Sequence, residues 1–113
     1  MSSRLDETLA ALADPTRRGV IDLLRKRPLR PSDIADALSM SRPAMSRHLR
    51  VLRQAGLVSE EVQADDARVR LCELRREPFL QLQGWLEEVA AFWDDQLQAF
   101  KAHAERKGRR RKG

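Results

Sequence analysis

Four arginines lie between residues 41 and 53, in a segment that contains no acidic residue. They are Arg42, Arg47, Arg50 and Arg53. A guanidinium group can donate two parallel hydrogen bonds, either to the edge of a guanine base or to phosphate oxygens. The residue types and their spacing therefore indicate nucleic-acid recognition, with duplex DNA as the expected partner.

A capped helix would hold these arginines on one side. Ser41 is a favourable N-cap, and Pro43 is tolerated in a first helical turn. Gly56 is expected to end the helix, because glycine readily adopts the left-handed conformation found at helix C-termini. Apolar residues at helical spacing are Met45, Leu49 and Leu52. The sequence thus predicts a helix over residues 42–55 with one apolar and one basic face.

A shorter helix is predicted just before it, at residues 31–38. Its apolar stripe consists of Ile34, Ala35 and Leu38. The polar turn at 39–41 joins the two helices. Two short helices around a tight turn are typical of the helix-turn-helix, whose second helix lies in the DNA major groove. Residues 42–55 would then be the recognition helix.

The N-terminal half of the recognition helix is the part expected to reach base edges. Its polar residues are Ser41, Arg42, Ser46 and Arg47. Ala44 is placed to meet a thymine methyl group.

Residues farther along the helix are expected to contact phosphates, which position a protein on DNA without specifying sequence. These residues are Arg50 and Arg53. His48 falls between the apolar and basic faces, where it would either contact a phosphate or pack against the domain.

Two segments with partial polar–apolar alternation, 57–63 and 68–74, predict a β-hairpin after the recognition helix. Residues 64–67 join them and include two adjacent acids, which disfavour phosphate contact at the tip itself. Arg68 and Arg70, just past the tip, are better candidates. We expect this hairpin to act as a wing beside the recognition helix.

Two helices are predicted near the N-terminus. Leu5, Leu9 and Leu12 recur at helical spacing and make a short amphipathic helix. Asp14 followed by Pro15 predicts the N-cap and first residue of a second helix. The residues expected to be buried in this second helix are Val20, Ile21, Leu23 and Leu24.

A long helix is predicted from Pro78 to about Ala104. Its apolar residues recur at spacings of three and four, which is close to a heptad pattern. A chain of 113 residues has a limited core to cover so many aromatic side chains. We favour a homodimer interface over a stripe that covers only its own domain. The expected interface residues are Leu5, Leu9, Leu82, Leu86, Val89, Trp93, Leu97 and Phe100, with Phe79 at the start of the same stripe.

Two segments resemble one family. SRPAMSRHLRVLRQAGLV, at 41–58, is similar to the recognition helix and following strand of ArsR/SmtB-type winged-helix repressors. LADPTRRGVIDLL, at 12–24, is similar to their second helix. The resemblance covers residues 5–104. It implies a mainly α winged helix-turn-helix with a small β-hairpin, in the order α-α-α-α-β-β-α. It also implies a repressor that dimerises through its first and last helices.

The ligand sets of metal-sensing relatives are missing. Some relatives carry a Cys-x-Cys-type motif on the first helix of the helix-turn-helix, but residues 29–38 contain no cysteine or histidine. Others bind zinc on the last helix, where this chain has one histidine, His103, and lacks the Asp-x-His spacing. We therefore predict no metal site and no cofactor, and the effector stays open. Cys72 is expected to be a small strand residue rather than a redox switch.

The net charge of +5 is concentrated at the C-terminus. Residues 106–113 hold six basic residues and no acid, which leaves 16 basic against 17 acidic residues elsewhere. We predict a winged helix-turn-helix domain with its dimerisation helix at 1–105 and a disordered basic tail at 106–113. The tail would be either an arm that adds nonspecific phosphate affinity or a solubilising end.

Composition and motifs favour a regulator over an enzyme. The chain has no Gly-rich phosphate loop, no HExxH and no nucleophile beside a base. A single cysteine agrees with a reducing cytoplasm, and we expect no signal peptide or transmembrane helix. The prediction is a cytoplasmic homodimeric regulator, nucleoid-associated when bound to an inverted repeat in duplex DNA. The alternative is a dimeric module whose basic face binds a protein or RNA, although RNA readers usually display stacking aromatic residues.

Overall fold

The structure is a computed structural model that describes residues 3–63 and 66–111. Five helices and one hairpin follow the predicted order. The elements are α1 (Arg4–Leu12), α2 (Pro15–Leu24), α3 (Pro31–Ala37), α4 (Arg42–Gln54), β1 (Val58–Gln63), β2 (Asp66–Leu74) and α5 (Arg76–Arg111). The predicted winged helix-turn-helix architecture is confirmed.

Side-chain caps start the first two helices. Ser3 and Asp6 form a reciprocal capping box at the start of α1. The Asp14 carboxylate accepts hydrogen bonds from the backbone N–H groups of Thr16, at 2.8 Å, and Arg17, at 3.1 Å. The bond from Arg17 is the main cause that lowers the pKa of Asp14 below its usual value. The predicted Asp14–Pro15 helix start is therefore confirmed.

The two helices of the helix-turn-helix are joined at Ser39, whose φ of 53° lies in the left-handed region. Ser41 then caps α4, since its Oγ accepts a hydrogen bond from the Ala44 N–H at 3.3 Å. At the other end Gly56 has a φ of 78°, the conformation expected just beyond a helix C-terminus. These boundaries fix the start and the end of the recognition helix.

The core lies where α2, α3, α4 and the base of the hairpin meet. Its fully buried large side chains include Val20, Ile34, Met45, Leu49, Leu52 and Leu57. Leu29, in the segment between α2 and α3, exchanges two backbone hydrogen bonds with Cys72 on β2. This short bridge ties the loop before the helix-turn-helix to the wing.

The first helix buries a different side from the one that its leucines suggest. Thr8 and Ala11 are buried, whereas Leu5 and Leu12 are half-buried and Leu9 is 38% exposed. Thr8 can be buried because its hydroxyl donates a hydrogen bond to the Arg4 carbonyl at 3.0 Å. The amphipathic helix is confirmed, and its leucine edge remains accessible.

The wing is an antiparallel pair in which Val58 faces Leu74 and Val62 faces Arg70. The register shifts after Val62, so that Gln63 faces Asp66. The predicted joining segment was 64–67, but β2 already begins at Asp66, and residues 64 and 65 lie outside the described residues. The hairpin itself is confirmed.

Helix α5 begins two residues before Pro78 and continues to Arg111, beyond the predicted end near Ala104. The added turns consist of arginine and lysine with one glutamate, which all favour helix, and one Gly108, which costs only about 1 kcal/mol. Residues 106–111 are thus helical where a disordered tail was predicted. The chain divides into two compact units, residues 1–81 and 82–113. None of the helices in the described ranges is long and apolar enough to span a bilayer.

Candidate nucleic-acid interface

Helix α4 separates its apolar and basic residues cleanly. Met45, Leu49 and Leu52 are at most 1% exposed and form the centre of the core. The polar side is in solvent, where Ser46 and Arg47 are exposed on the first turns of the helix. The recognition helix is therefore held firmly by one face while the other is free for a partner.

Three of the four arginines on α4 carry an uncompensated charge. Within residues 3–63 and 66–111, Arg42, Arg47 and Arg50 are exposed and form no intramolecular ion pair. Long exposed side chains of this kind are available to bind base edges or phosphates. The cationic side of α4 matches the face that the sequence predicted.

Ser41 and Ala44 are placed differently from the arginines. The Ser41 Oγ acts as the acceptor of the cap, which leaves its O–H free to donate to a partner. Ala44 is half-buried at the edge of the exposed face. Ser41 is the N-cap of α4, and Ala44 lies in its first turn.

His48 faces the neighbouring helix α2. Its Nδ1 lies 3.4 Å from an Nη1 of Arg17, and the ring is half-buried. The same guanidinium donates from Nε to the carbonyl of Ala11 at 2.6 Å. This contact supports the packed-histidine interpretation over phosphate binding. Arg17 therefore has a structural role, because its guanidinium satisfies a carbonyl at the C-terminal end of α1.

The fourth arginine, Arg53, is paired with an acid that sequence reasoning did not single out. Its Nη1 lies 2.5 Å from the Oε1 of Glu60 on β1. The other carboxylate oxygen of Glu60 lies 4.0 Å from Nη1 of Arg70 on β2. The tight turn at Gly56 brings α4 and β1 together and makes this pairing possible. A predicted phosphate contact on the helix and one on the wing therefore share one carboxylate.

Arg68 is exposed on β2, two residues before Arg70. Side chains two positions apart in a strand point to the same face, apart from local irregularity of the sheet. The two wing arginines that the sequence proposed are thus near neighbours.

A hollow of about 450 Å³ opens between the start of α3, helix α4 and the wing. Its charged lining consists of Arg42, Arg53, Glu60 and Arg70, with Ser46 beside them. The hollow lies between the recognition helix and the wing, and its lining also includes Pro31, Met45 and Leu49. We call the polar surface here the basic face, defined by α4's four arginines, Ser46, Glu60 and Arg70.

Cys72 is fully buried on β2. Burial, reinforced by the charge of Glu60, raises the pKa of its thiol to about 11, so the sulfur stays protonated at neutral pH. Across the described part of the chain, no three histidine, cysteine, aspartate or glutamate residues cluster as metal ligands would. The missing metal site stays a prediction from sequence.

The residues proposed for the dimer interface are accessible in the single chain. Leu5 and Leu82 are half-buried. The exposed fractions on α5 are 52% for Leu86, 36% for Val89, 60% for Trp93, 65% for Leu97 and 73% for Phe100. Phe92 packs edge-to-face on Trp93, with ring centroids 5.6 Å apart.

Known proteins resemble this chain in sequence and in fold. The family described as "Bacterial regulatory protein, arsR family" matches residues 14–60. The transcriptional repressor SdpR of Bacillus subtilis is 38% identical over 56 residues, which is 50% of this chain and 62% of SdpR. The transcriptional regulator Rv2034 of Mycobacterium tuberculosis is 46% identical over 55 residues, covering 49% of this chain and 51% of that protein. The chain therefore spans about half to three fifths of the length of these two relatives.

One solved structure matches nearly throughout its length. It is the crystal structure of the ArsR family transcriptional regulator RHA00566, with a TM-score of 0.72 and 34% identity. The match covers 81% of this chain and 98% of that one. Because both the helix-turn-helix segment and the whole fold agree, this chain belongs to the ArsR family of bacterial transcriptional regulators.

Proposed function

We propose that the protein is a sequence-specific DNA-binding repressor that acts as a homodimer on an inverted-repeat operator. The carrying observation is helix α4, whose apolar side packs in the core while Arg42, Arg47 and Arg50 are exposed and form no ion pair within residues 3–63 and 66–111. Family membership and the similarity to a named repressor support this function. We place the protein in the cytoplasm, at the nucleoid when bound to DNA.

Residues at the start of α4 are assigned to base edges. Ser41, Arg42, Ser46 and Arg47 lie where the recognition helix of a helix-turn-helix enters the major groove, and Ala44 sits beside them. A bidentate arginine–guanine pair contributes about 1–3 kcal/mol of discrimination against the wrong base. Arg50, farther along the helix, and Arg68, on the wing, are assigned to phosphates.

The apolar face of α5 supports the proposed homodimer. Seven apolar residues from Phe79 to Phe100 fall within about 40° of one line along the helix at roughly 100° per residue. Four of them are more than half exposed in the single chain. A second copy of the same helix would cover this face, together with the accessible Leu5 and Leu9 of α1. A two-fold dimer then presents two α4 helices to half-sites roughly 10 bp apart.

The test is a titration of the protein on duplex DNA from the region upstream of its own gene, against a scrambled duplex and a single-stranded RNA of equal length. We expect specific binding to the upstream duplex, with footprinting that protects two symmetric half-sites. Preference for RNA, or binding of neither duplex, would contradict the proposal.

Arg47→Ala separates base readout from phosphate contact, with Arg50→Ala as the matched control on the same helix. Arg47→Ala should weaken operator binding by about 1–3 kcal/mol and relax preference at one base pair per half-site. Arg50→Ala should lower the affinity for operator and scrambled DNA by the same factor. If Arg47→Ala also lowers both affinities equally, Arg47 is a phosphate contact.

A further inference from the structure

Glu60 stands out on the basic face because it is an acid among cations. It lies on β1, at the edge of the 450 Å³ hollow whose charged lining is otherwise arginine. Its side chain is only 22% exposed. Backbone phosphates approaching this hollow would meet a carboxylate in its lining.

The two oxygens of Glu60 are used on different elements. Oε1 lies 2.5 Å from Arg53 at the end of the recognition helix, and Oε2 lies 4.0 Å from Arg70 on the wing. Arg53 is 37% exposed at its side chain and Arg70 is 67% exposed. Together the three residues carry a net charge of +1 where two unpaired arginines would carry +2. One carboxylate thus lies within ion-pair distance of both guanidinium groups.

We propose that Glu60 acts as an internal substitute for a DNA phosphate and limits the electrostatic affinity of the basic face. This inference rests on the proposed DNA-binding function. Phosphate contacts add affinity without reading sequence. Glu60 therefore lowers binding to operator and random DNA by the same factor and makes both less dependent on salt.

The size of the effect follows from counterion release. Each phosphate that a protein neutralises on duplex DNA adds about −0.9 to the slope of log affinity against log salt. Removing the Glu60 charge adds one net cation per chain, or two per dimer, which steepens the slope by about 1.8. Between 50 and 200 mM salt, the loss of affinity should then be about 12-fold larger for the variant than for the native protein.

The experiment compares Glu60→Gln with Glu61→Gln on operator and scrambled duplexes at both salt concentrations. Glu61 is the next residue on β1, it is exposed, and it forms no ion pair with any residue in the described ranges. The two variants therefore remove the same formal charge from opposite faces of one strand. We expect Glu60→Gln to raise the affinity for both duplexes by the same factor and to steepen the slope of log affinity against log salt. Glu61→Gln should leave that slope unchanged.

A double variant checks that the gain comes from the net charge of the cluster. Adding Arg70→Gln to Glu60→Gln restores the native net charge of the cluster, so the slope should return to the native value. Glutamine is close in shape to glutamate and still accepts from Arg53. Should circular dichroism show Glu60→Gln to be unfolded at the assay temperature, Glu60→Thr replaces it, since threonine favours strands.

The remaining outcomes overturn the inference in distinguishable ways. An unchanged slope in Glu60→Gln, or an equal change in Glu61→Gln, shows that the pairing does not limit binding. Weaker binding by Glu60→Gln shows that the carboxylate instead holds Arg53 and Arg70 in place for DNA. If the native protein binds neither duplex, the proposed function fails and the inference fails with it.

Discussion

The dimer interface is tested most directly at Trp93. This residue lies near the middle of the apolar face of α5 and is 60% exposed in the single chain. We expect Trp93→Ala to weaken the dimer strongly and to leave the helix-turn-helix folded. The reason is that residues 1–81 form a compact unit of their own and Trp93 lies outside it.

The magnitude can be worked from the exposed area. A tryptophan side chain of about 250 Å² that is 60% exposed offers about 150 Å², or about 4 kcal/mol at 25 cal/mol per Å² if a partner covers it fully. Partial coverage and the methyl group left by alanine reduce this to about 1.5 kcal/mol per chain. A two-fold interface counts the loss twice, so the dimer dissociation constant should rise about 100-fold.

Sedimentation equilibrium over a range of protein concentrations measures this constant. Asp95→Ala is the matched control, because it lies on the opposite side of α5 and should leave the constant unchanged. A native protein that sediments as a monomer at every concentration would refute the argument. So would a Trp93→Ala protein that dimerises as tightly as the native one.

Three further predictions concern the tail, metals and the buried thiol. Deleting residues 106–113 should lower the affinity for operator and random DNA by the same factor and flatten the slope of log affinity against log salt. The reason is that a basic arm contributes only by releasing counterions. An anisotropy titration measures both quantities. Zinc, cadmium or arsenite should leave operator affinity unchanged, with or without chelator. A stoichiometric loss of operator binding that chelator reverses would reveal an overlooked metal site. Its first candidate ligands are Asp95, His103 and Glu105. Cys72 should resist thiol reagents in the folded state. Because its pKa is raised to about 11, the free energy of unfolding should fall as pH rises from about 8.5 toward 11, by up to about 3 kcal/mol, and Cys72→Ala should remove that dependence.

Local chemistry made the helix boundaries predictable. Asp14 and Ser41 are strong caps followed within two residues by proline, and Gly56 supplies a positive φ at the end of α4. Each signal depends on a few neighbouring residues and no distant contact. The recognition helix and its exposed arginines could therefore be found from sequence.

Tertiary contacts decided what the sequence did not reveal. Periodicity gave α1 a leucine stripe, but the fold buries Thr8 and Ala11, because a hydroxyl bonded within its own helix packs as a small residue. No signal in the sequence marked Arg17 as a structural residue. In the structure it caps carbonyls of α1 and contacts His48. The buried side of α1 and the role of Arg17 cannot be found from residue spacing alone, because both depend on which helices pack together.

Tertiary contacts also change how many cations of the basic face count toward DNA binding. In the proposed dimer, the phosphate-facing cations of this face are Arg50, Arg53 and Arg70, three per chain, which would correspond to a salt slope of about −5. Glu60 cancels one of the three, which leaves two per chain and a slope of about −4 from this face. Arginine content therefore overstates the electrostatic affinity, and a single acid seven residues beyond Arg53 determines by how much.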